Sequence, residues 1–280
     1  NYTKPLNVYG TTGLDSRINL DADIFSFGQD ITLRADHITI KGRTIDTSHP
    51  TQAGDIKLRG KDITVTDGTV LNAQASAVGG ESGSIQIYAI DDRARYFGQG
   101  FANIDIIKTK VKIGDATITG GDVEVLATSD SQRYVTAGDF APLPFADTIA
   151  TIFSSVIGAM EGLAIGAAVS YARSDAIIEI NSSAGATTIV ADSFTAQSSA
   201  KIRVAASPKA ISGGAIALGI GDTDSKVIIG NANITTSGDT TIRATADHIT
   251  NVVVKATGAM AAFGKTGAAI ALTWLTSNVK

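Results

Sequence analysis

Six adjacent residues, Asp91-Asp92-Arg93-Ala94-Arg95-Tyr96, put two carboxylates, two guanidinium groups and a phenol in one short stretch. Such a set suits polysaccharide cleavage, with an arginine neutralising a uronate carboxylate while an acid or the phenol moves a proton. It is also what a solvated loop with internal Asp–Arg pairing contains, and adjacent residues point in different directions. The stretch is therefore expected to be a non-catalytic loop. With the rings near it, the candidate glycan or partner patch is Tyr88, Asp91, Asp92, Arg93, Arg95, Tyr96, Phe97 and Phe101. The competing expectation is that these rings cover a corner of the fold or cap an apolar seam.

Histidine is the usual acid–base side chain, and two of the three sit in a repeated string. Ala35-Asp36-His37-Ile38-Thr39 recurs as Ala246-Asp247-His248-Ile249-Thr250. Repetition points to a structural corner, with imidazole and carboxylate bonding nearby turn amides. His49, before Pro50, is expected in a loop. Asp21-Ala22-Asp23 and Asp222-Thr223-Asp224 present paired carboxylates suited to a hard cation such as calcium. Neither continues as an EF-hand loop, and the glycine-rich nonapeptide of calcium-binding β-rolls is missing. Asp222 and Asp224 stand as the metal candidate, and no other cofactor is implied. Gly79-Gly80 and Gly213-Gly214 lack the lysine and hydroxyl residue of a phosphate loop. No Gly-x-Ser-x-Gly elbow is present.

Composition narrows the classes further. The 280 residues carry 23 Lys plus Arg against 27 Asp plus Glu, a net charge of −4. Nucleic acid as a partner needs a dense basic surface and is not expected. The absence of cysteine excludes disulfide scaffolds, zinc–thiolate sites and thiol catalysis. Aromatic residues are 6%, so a core must come from Ile, Val, Leu and Ala. The longest apolar stretch, Ile149 to Tyr171, is interrupted by Glu161, and no membrane span is expected. The chain begins at Asn1 without a charged segment and apolar run, which fits a processed start or an excised fragment.

Internal repeats decide the architecture. Gln29-Asp30-Ile31-Thr32-Leu33-Arg34 reappears as Gly54-Asp55-Ile56-Lys57-Leu58-Arg59, and His37-Ile38-Thr39-Ile40 lines up with Asp62-Ile63-Thr64-Val65. Gly83-Ser84-Ile85-Gln86-Ile87 and Gly121-Asp122-Val123-Glu124-Val125 follow, with an echo at Gly238-Asp239. Each copy is a small turn pair followed by alternating apolar and polar residues, which is a strand with one face inward. A longer repeat matches Ile165, Ile216 and Ile270, and after each apolar stretch a polar turn such as Ser174-Asp175 leads to another strand. The last copy stops partway, as in a fragment of a longer array or an end completed by a neighbour.

Short strands with irregular connections fit a sequential coil, so the expected fold is all-β, a right-handed parallel β-helix. An antiparallel sandwich is the alternative, because period two does not fix strand direction. One segment departs from the pattern. Ile149, Ile152, Phe153, Val156, Ile157 and Met160 recur at helical spacing, predicting an inserted amphipathic helix over 147–161. The expected layout is a lead-in or cap over 1–27, rungs over 28–140, the insertion over 141–161, and further rungs over 162–280.

These repeats resemble those of very large secreted bacterial surface proteins, the filamentous haemagglutinin-like and leukotoxin-type filamentous adhesins. The stretch from Ala164 to Ala176, small and apolar residues followed by Ser174-Asp175-Ala176, is most similar to their long repeat blocks. The resemblance implies a secreted or cell-surface fibre segment, non-enzymatic and structural or adhesive, and transfers no catalytic residue. Implied partners are host-surface or matrix glycans or proteins, with head-to-tail self-association of the stacked rungs. The alternative is a polysaccharide lyase or hydrolase, or a glycan-binding module, on the same fold.

Overall fold

A computed structural model describes residues 4–10, 15–91, 96–99, 102–136, 165–181, 185–207, 209–210, 214–252, 255–256 and 269–280. The expected helix at 147–161 and the loop residues Asp92, Arg93, Arg95 and Phe101 lie outside them.

The chain winds through three main sheets, and the first three turns give one strand to each. The first turn is β1 (Leu6–Tyr9), β2 (Arg17–Leu20) and β3 (Ile24–Phe25). The second is β4 (Ile31–Arg34), β5 (His37–Lys41) and β6 (Thr44–Asp46), and the third β7 (Ile56–Gly60), β8 (Asp62–Thr66) and β9 (Thr69–Asn72). The fourth is β10 (Ile85–Asp91), β11 (Tyr96–Gln99), β12 (Ala102–Ile113) and β13 (Ala116–Thr119). The fifth is β14 (Asp122–Thr136), β15 (Ile165–Ile180) and β16 (Thr187–Ala191). The sixth is β17 (Ser193–Ser207), β18 (Lys209–Ala210), β19 (Gly214–Ile229) and β20 (Ala232–Thr236). The last holds β21 (Thr240–Val252), β22 (Lys255–Ala256) and β23 (Ala269–Val279). Sheet order is β1-β4-β7-β10-β14-β17-β21, then β2-β5-β8-β12-β15-β19-β23, then β20-β16-β13-β9-β6-β3. The pairs in these three sheets are parallel. The fold is a parallel β-helix, and the antiparallel sandwich is excluded.

In-register stacking turns the alternating sequence into continuous apolar columns. Ile31, Ile56, Ile85, Val123 and Phe194 form one in the first sheet. Ile38, Ile63, Val111 and Ile178 form another in the second, and Ile45, Leu71, Ile118 and Ile189 in the third. All are at most 1% exposed. Burying each such side chain stabilises the fold by about 1.5–3 kcal/mol.

The repeated Gly-Asp pair has two separate physical roles at the corner between the third and first sheets. Its aspartate satisfies the next turn's backbone: Asp30 Oδ1 accepts the Asp55 N–H at 2.9 Å, and Asp55 Oδ1 accepts the Ser84 N–H at 2.9 Å. Its glycine permits close stacking. A Cβ on Gly83 would lie 2.1 Å from the Gly54 carbonyl oxygen, and one on Gly54 would lie 2.4 Å from the Gln29 carbonyl carbon.

From the fourth turn the first two sheets outgrow the prism. β4 and β5 have 4 and 5 residues, whereas β14 and β15 have 15 and 16. The extra length runs outward in the first sheet and returns in the second, giving a two-layered wing. Cα atoms of β14 and β15, and of β17 and β19, come within 8 Å across it. Packed sheets usually lie about 10 Å apart. Small inward residues allow the closer approach: Ser129, Ser131, Ala172, Ser174, Ala176, Ser198, Ala200, Thr223 and Ser225 are all fully buried. Their hydroxyls bond across the layers, Ser174 Oγ with Ser129 Oγ at 2.8 Å and Ser198 Oγ with Ser225 Oγ at 2.8 Å.

The wing also corrects two details of the repeat reading. Ser174-Asp175 is no turn but the interior of the single strand β15, with Ser174 facing inward onto Ser129. The residue opposite Ile216 is Ala167 rather than Ile165, whereas Ile216 does stand opposite Ile270. A two-residue slip keeps every side chain on its own face, so alternation alone could not detect it.

Candidate functional site

The candidate patch divides between two faces. Tyr88 and Asp91 share β10, whose burial alternates strictly, so Tyr88 faces outward while Asp91 faces inward and is 4% exposed. The Tyr88 hydroxyl donates to Glu124 Oε2 on the neighbouring strand. Burial, then the Glu124 carboxylate, push its pKa well above the usual phenol value. A phenol so held keeps its proton at neutral pH and is a poor base. Tyr96 and Phe97 lie on β11, which pairs with β14 through Tyr96 opposite Arg133.

The other candidates are tied into the stack. Arg173 Nε lies 3.0 Å from Asp175 Oδ1 and 3.8 Å from Asp222 Oδ2, and Asp222 Oδ1 accepts the Thr276 hydroxyl at 3.1 Å. The pairing with Asp175 raises the Arg173 pKa. Asp224 accepts from Lys226 Nζ at 2.5 Å. Calcium at Asp222 and Asp224 would have to compete with these cations. Asp23 Oδ1 is engaged by the Thr44 N–H at 2.8 Å. Among the described residues no three of His, Asp and Glu are grouped to hold a metal ion.

The repeated histidine string splits. His37 opens β5 at the corner between the first and second sheets, with Nε2 2.6 Å from Asp15 Oδ1, as a corner role requires. His248 instead lies within the wing strand β21, with Nε2 2.5 Å from Thr223 Oγ1. Identical strings occupy different structural positions because the outgrown strands displace the corner. His49 is a loop residue whose Nδ1 accepts the Thr51 N–H at 3.3 Å.

A site that single residues did not announce lies where the wing begins. The first three turns end their first-sheet strands at the prism corner, whereas β10 runs on to Asp91. The step encloses a cleft of about 290 Å³ lined by Arg34, Ala35, Asp36, Arg59, Gly60, Lys61, Ile90 and Asp91. Arg34 and Arg59 stand in register on β4 and β7, both outward and exposed. Among the described residues neither side chain makes a hydrogen bond or ion pair. The same outward column continues to Tyr9 on one side, 64% exposed, and to Tyr88 on the other. The repeat carried the signal: Leu33-Arg34 against Leu58-Arg59 at one offset stacks the arginines. A second cleft, of about 250 Å³, is lined by Ser84, Gln86, Asp122, Glu124, Ser193 and Thr195.

The cleft floor is rigid. Asp36 ties three turns together, accepting from the Ser16 N–H and hydroxyl at 3.1 Å each and from Lys61 Nζ at 2.8 Å. The lysine hydrogen bond, with help from Ser16, holds its pKa down to about 2. The folded state therefore prefers the carboxylate, and this stabilisation is present above the unfolded pKa of about 3.9 and lost as pH falls through about 2. Asp36→Ala is expected to cost about 1–2 kcal/mol at neutral pH. Urea titrations from pH 7 to 2 check this, with the gap to the unsubstituted chain closing between pH of about 4 and 2.

No protein-family description, curated protein or solved structure matches the chain.

Proposed function

We propose that the chain is a non-enzymatic structural or adhesive segment of a secreted or cell-surface bacterial fibre protein. The resemblance of its repeats to filamentous haemagglutinin-like and leukotoxin-type adhesins supports this reading. The observation that carries it is where the outward charges go. Lys110 pairs with Glu179 at 2.8 Å, Lys201 with Asp247 at 3.3 Å and Arg173 with Asp222, each linking successive turns. Each pair lies on the surface and contributes little singly, but the ladder fixes register along a stiff rod. Head-to-tail association of the stacked rungs belongs to the same reading.

The test is incubation with a panel of neutral and uronate polysaccharides, following new chain ends by mass spectrometry. Intact polymers across the panel are expected. Shortened products would replace this reading with the lyase or hydrolase alternative. Sedimentation velocity over rising concentration checks the self-association, which a strictly monomeric chain would contradict.

The glycan-binding alternative has one observation in its favour, the cleft with two arginines that have no partner among the described residues.

A further inference from the structure

We propose that the step at Arg34 and Arg59 is a binding site for a linear polysaccharide bearing carboxylates, a uronate polymer. The inference does not depend on whether the chain is a surface segment, because it rests on the step alone.

Neighbouring strands lie about 4.8 Å apart, so two in-register outward arginines place like charges side by side. Like charges directly opposite destabilise a sheet. Other lysines on the stack have a carboxylate close by in their own stretch of chain, Lys57 pairing with Asp55 at 2.9 Å and Lys226 with Asp224. At the step the nearby Asp36 is already consumed by Ser16 and Lys61, and Asp91 is turned inward. Among the described residues the two guanidinium groups have no carboxylate partner at the mouth of the cleft. Each is a planar fork that matches a carboxylate with two parallel hydrogen bonds.

The flanking residues narrow the ligand from any anion to an acidic glycan. The column reads Tyr9, Arg34, Arg59, Tyr88, so aromatic rings bracket the charge pair along one line. Aromatic faces take up the apolar faces of sugar rings, while the arginines take the acid groups. The cleft volume of about 290 Å³ lies at the small end of ligand pockets, enough for one ring of a chain that continues along the column. The floor is fixed by the Ser16–Asp36–Lys61 bonds, so little ordering is needed on binding.

The experiment is calorimetric titration with oligogalacturonate, with neutral dextran and dextran sulfate as companion probes. The double variant Arg34→Gln/Arg59→Gln is compared with Lys41→Gln/Lys112→Gln, which removes the same charge from exposed positions on the second sheet. Saturable binding of oligogalacturonate but not dextran is expected, weakened about tenfold or more in the arginine variant and less than about twofold in the lysine variant. Tyr9→Ala is expected to weaken binding about threefold. Thermal melts and circular dichroism confirm that each variant is folded, and the single variants Arg34→Gln and Arg59→Gln serve if the double variant is not. Three results would overturn the proposal: no saturable binding to oligogalacturonate, equal losses in the arginine and lysine variants, or dextran sulfate binding that is tighter than oligogalacturonate binding.

Discussion

Gly83→Ala is expected to be among the most damaging single-methyl changes in this chain, lowering stability by about 3 kcal/mol or more. The added Cβ would stand 2.1 Å from the Gly54 carbonyl oxygen and 2.6 Å from its carbonyl carbon. No side chain can rotate to relieve that contact, because both partners are backbone. Relief needs the third and fourth turns to separate, which also strains the Ser84 N–H bond to Asp55. The control is Gly68→Ala. Gly68 has a φ of 80° and nothing within 4 Å of an added Cβ, so its substitution costs only left-handed backbone strain, about 1 kcal/mol. Urea denaturation of the two variants checks the difference. Equal losses would mean that turn spacing is not limited by the glycine at this corner.

Phe194→Ala is expected to cost about 3–5 kcal/mol, the usual range for emptying a buried aromatic site. Phe194 is fully buried and continues the column of Ile31, Ile56, Ile85 and Val123, where the next position is Thr240. The ring thus fills the end of the apolar column as it gives way to a polar residue. In a stack whose turns contact mainly their neighbours, the damage should remain local. Hydrogen exchange by mass spectrometry is expected to show loss of protection in β17, β20 and β21, with β4 to β8 little changed. Phe194→Leu should recover about half of the loss. Uniform loss of protection along the chain would contradict the view that stability is held turn by turn.

The prism was legible in the sequence because its signals are local. The alternation in Ile31-Thr32-Leu33-Arg34 and its repeat at Ile56 to Arg59 specify a strand, its inward face and its stacking partner together. Strand direction came only from the repeat, since period two is the same in either sense. The wing was not legible for a physical reason. A polar pair such as Ser174-Asp175 marks a turn when its alternatives are apolar, but between two close sheets a serine can face inward and bond across. Sequence shows the residue and not the separation of the layers. The arginine step was half legible, because the repeat aligned Arg34 with Arg59, while their lack of partners among the described residues required the surrounding side chains. Strand parity places Tyr88 and Asp91 of the candidate patch on opposite faces.

The scaffold reading and the binding site both depend on in-register parallel stacking, and the absence of cysteine permits a direct measurement. Thr128 and Ser199 are in-register partners on β14 and β17, so their Cα atoms should lie within the 4.4–6.8 Å range of a disulfide. Replacing both with cysteine is expected to give an oxidised monomer with an internal cross-link, found by peptide mapping after mild oxidation. The pair Thr128→Cys and Arg203→Cys is displaced by four residues along β17, about 13 Å, and should stay reduced under the same conditions. Cross-linking of the displaced pair in preference to the in-register pair would contradict the stacked architecture, and with it the aligned arginines and the charge ladders built on it.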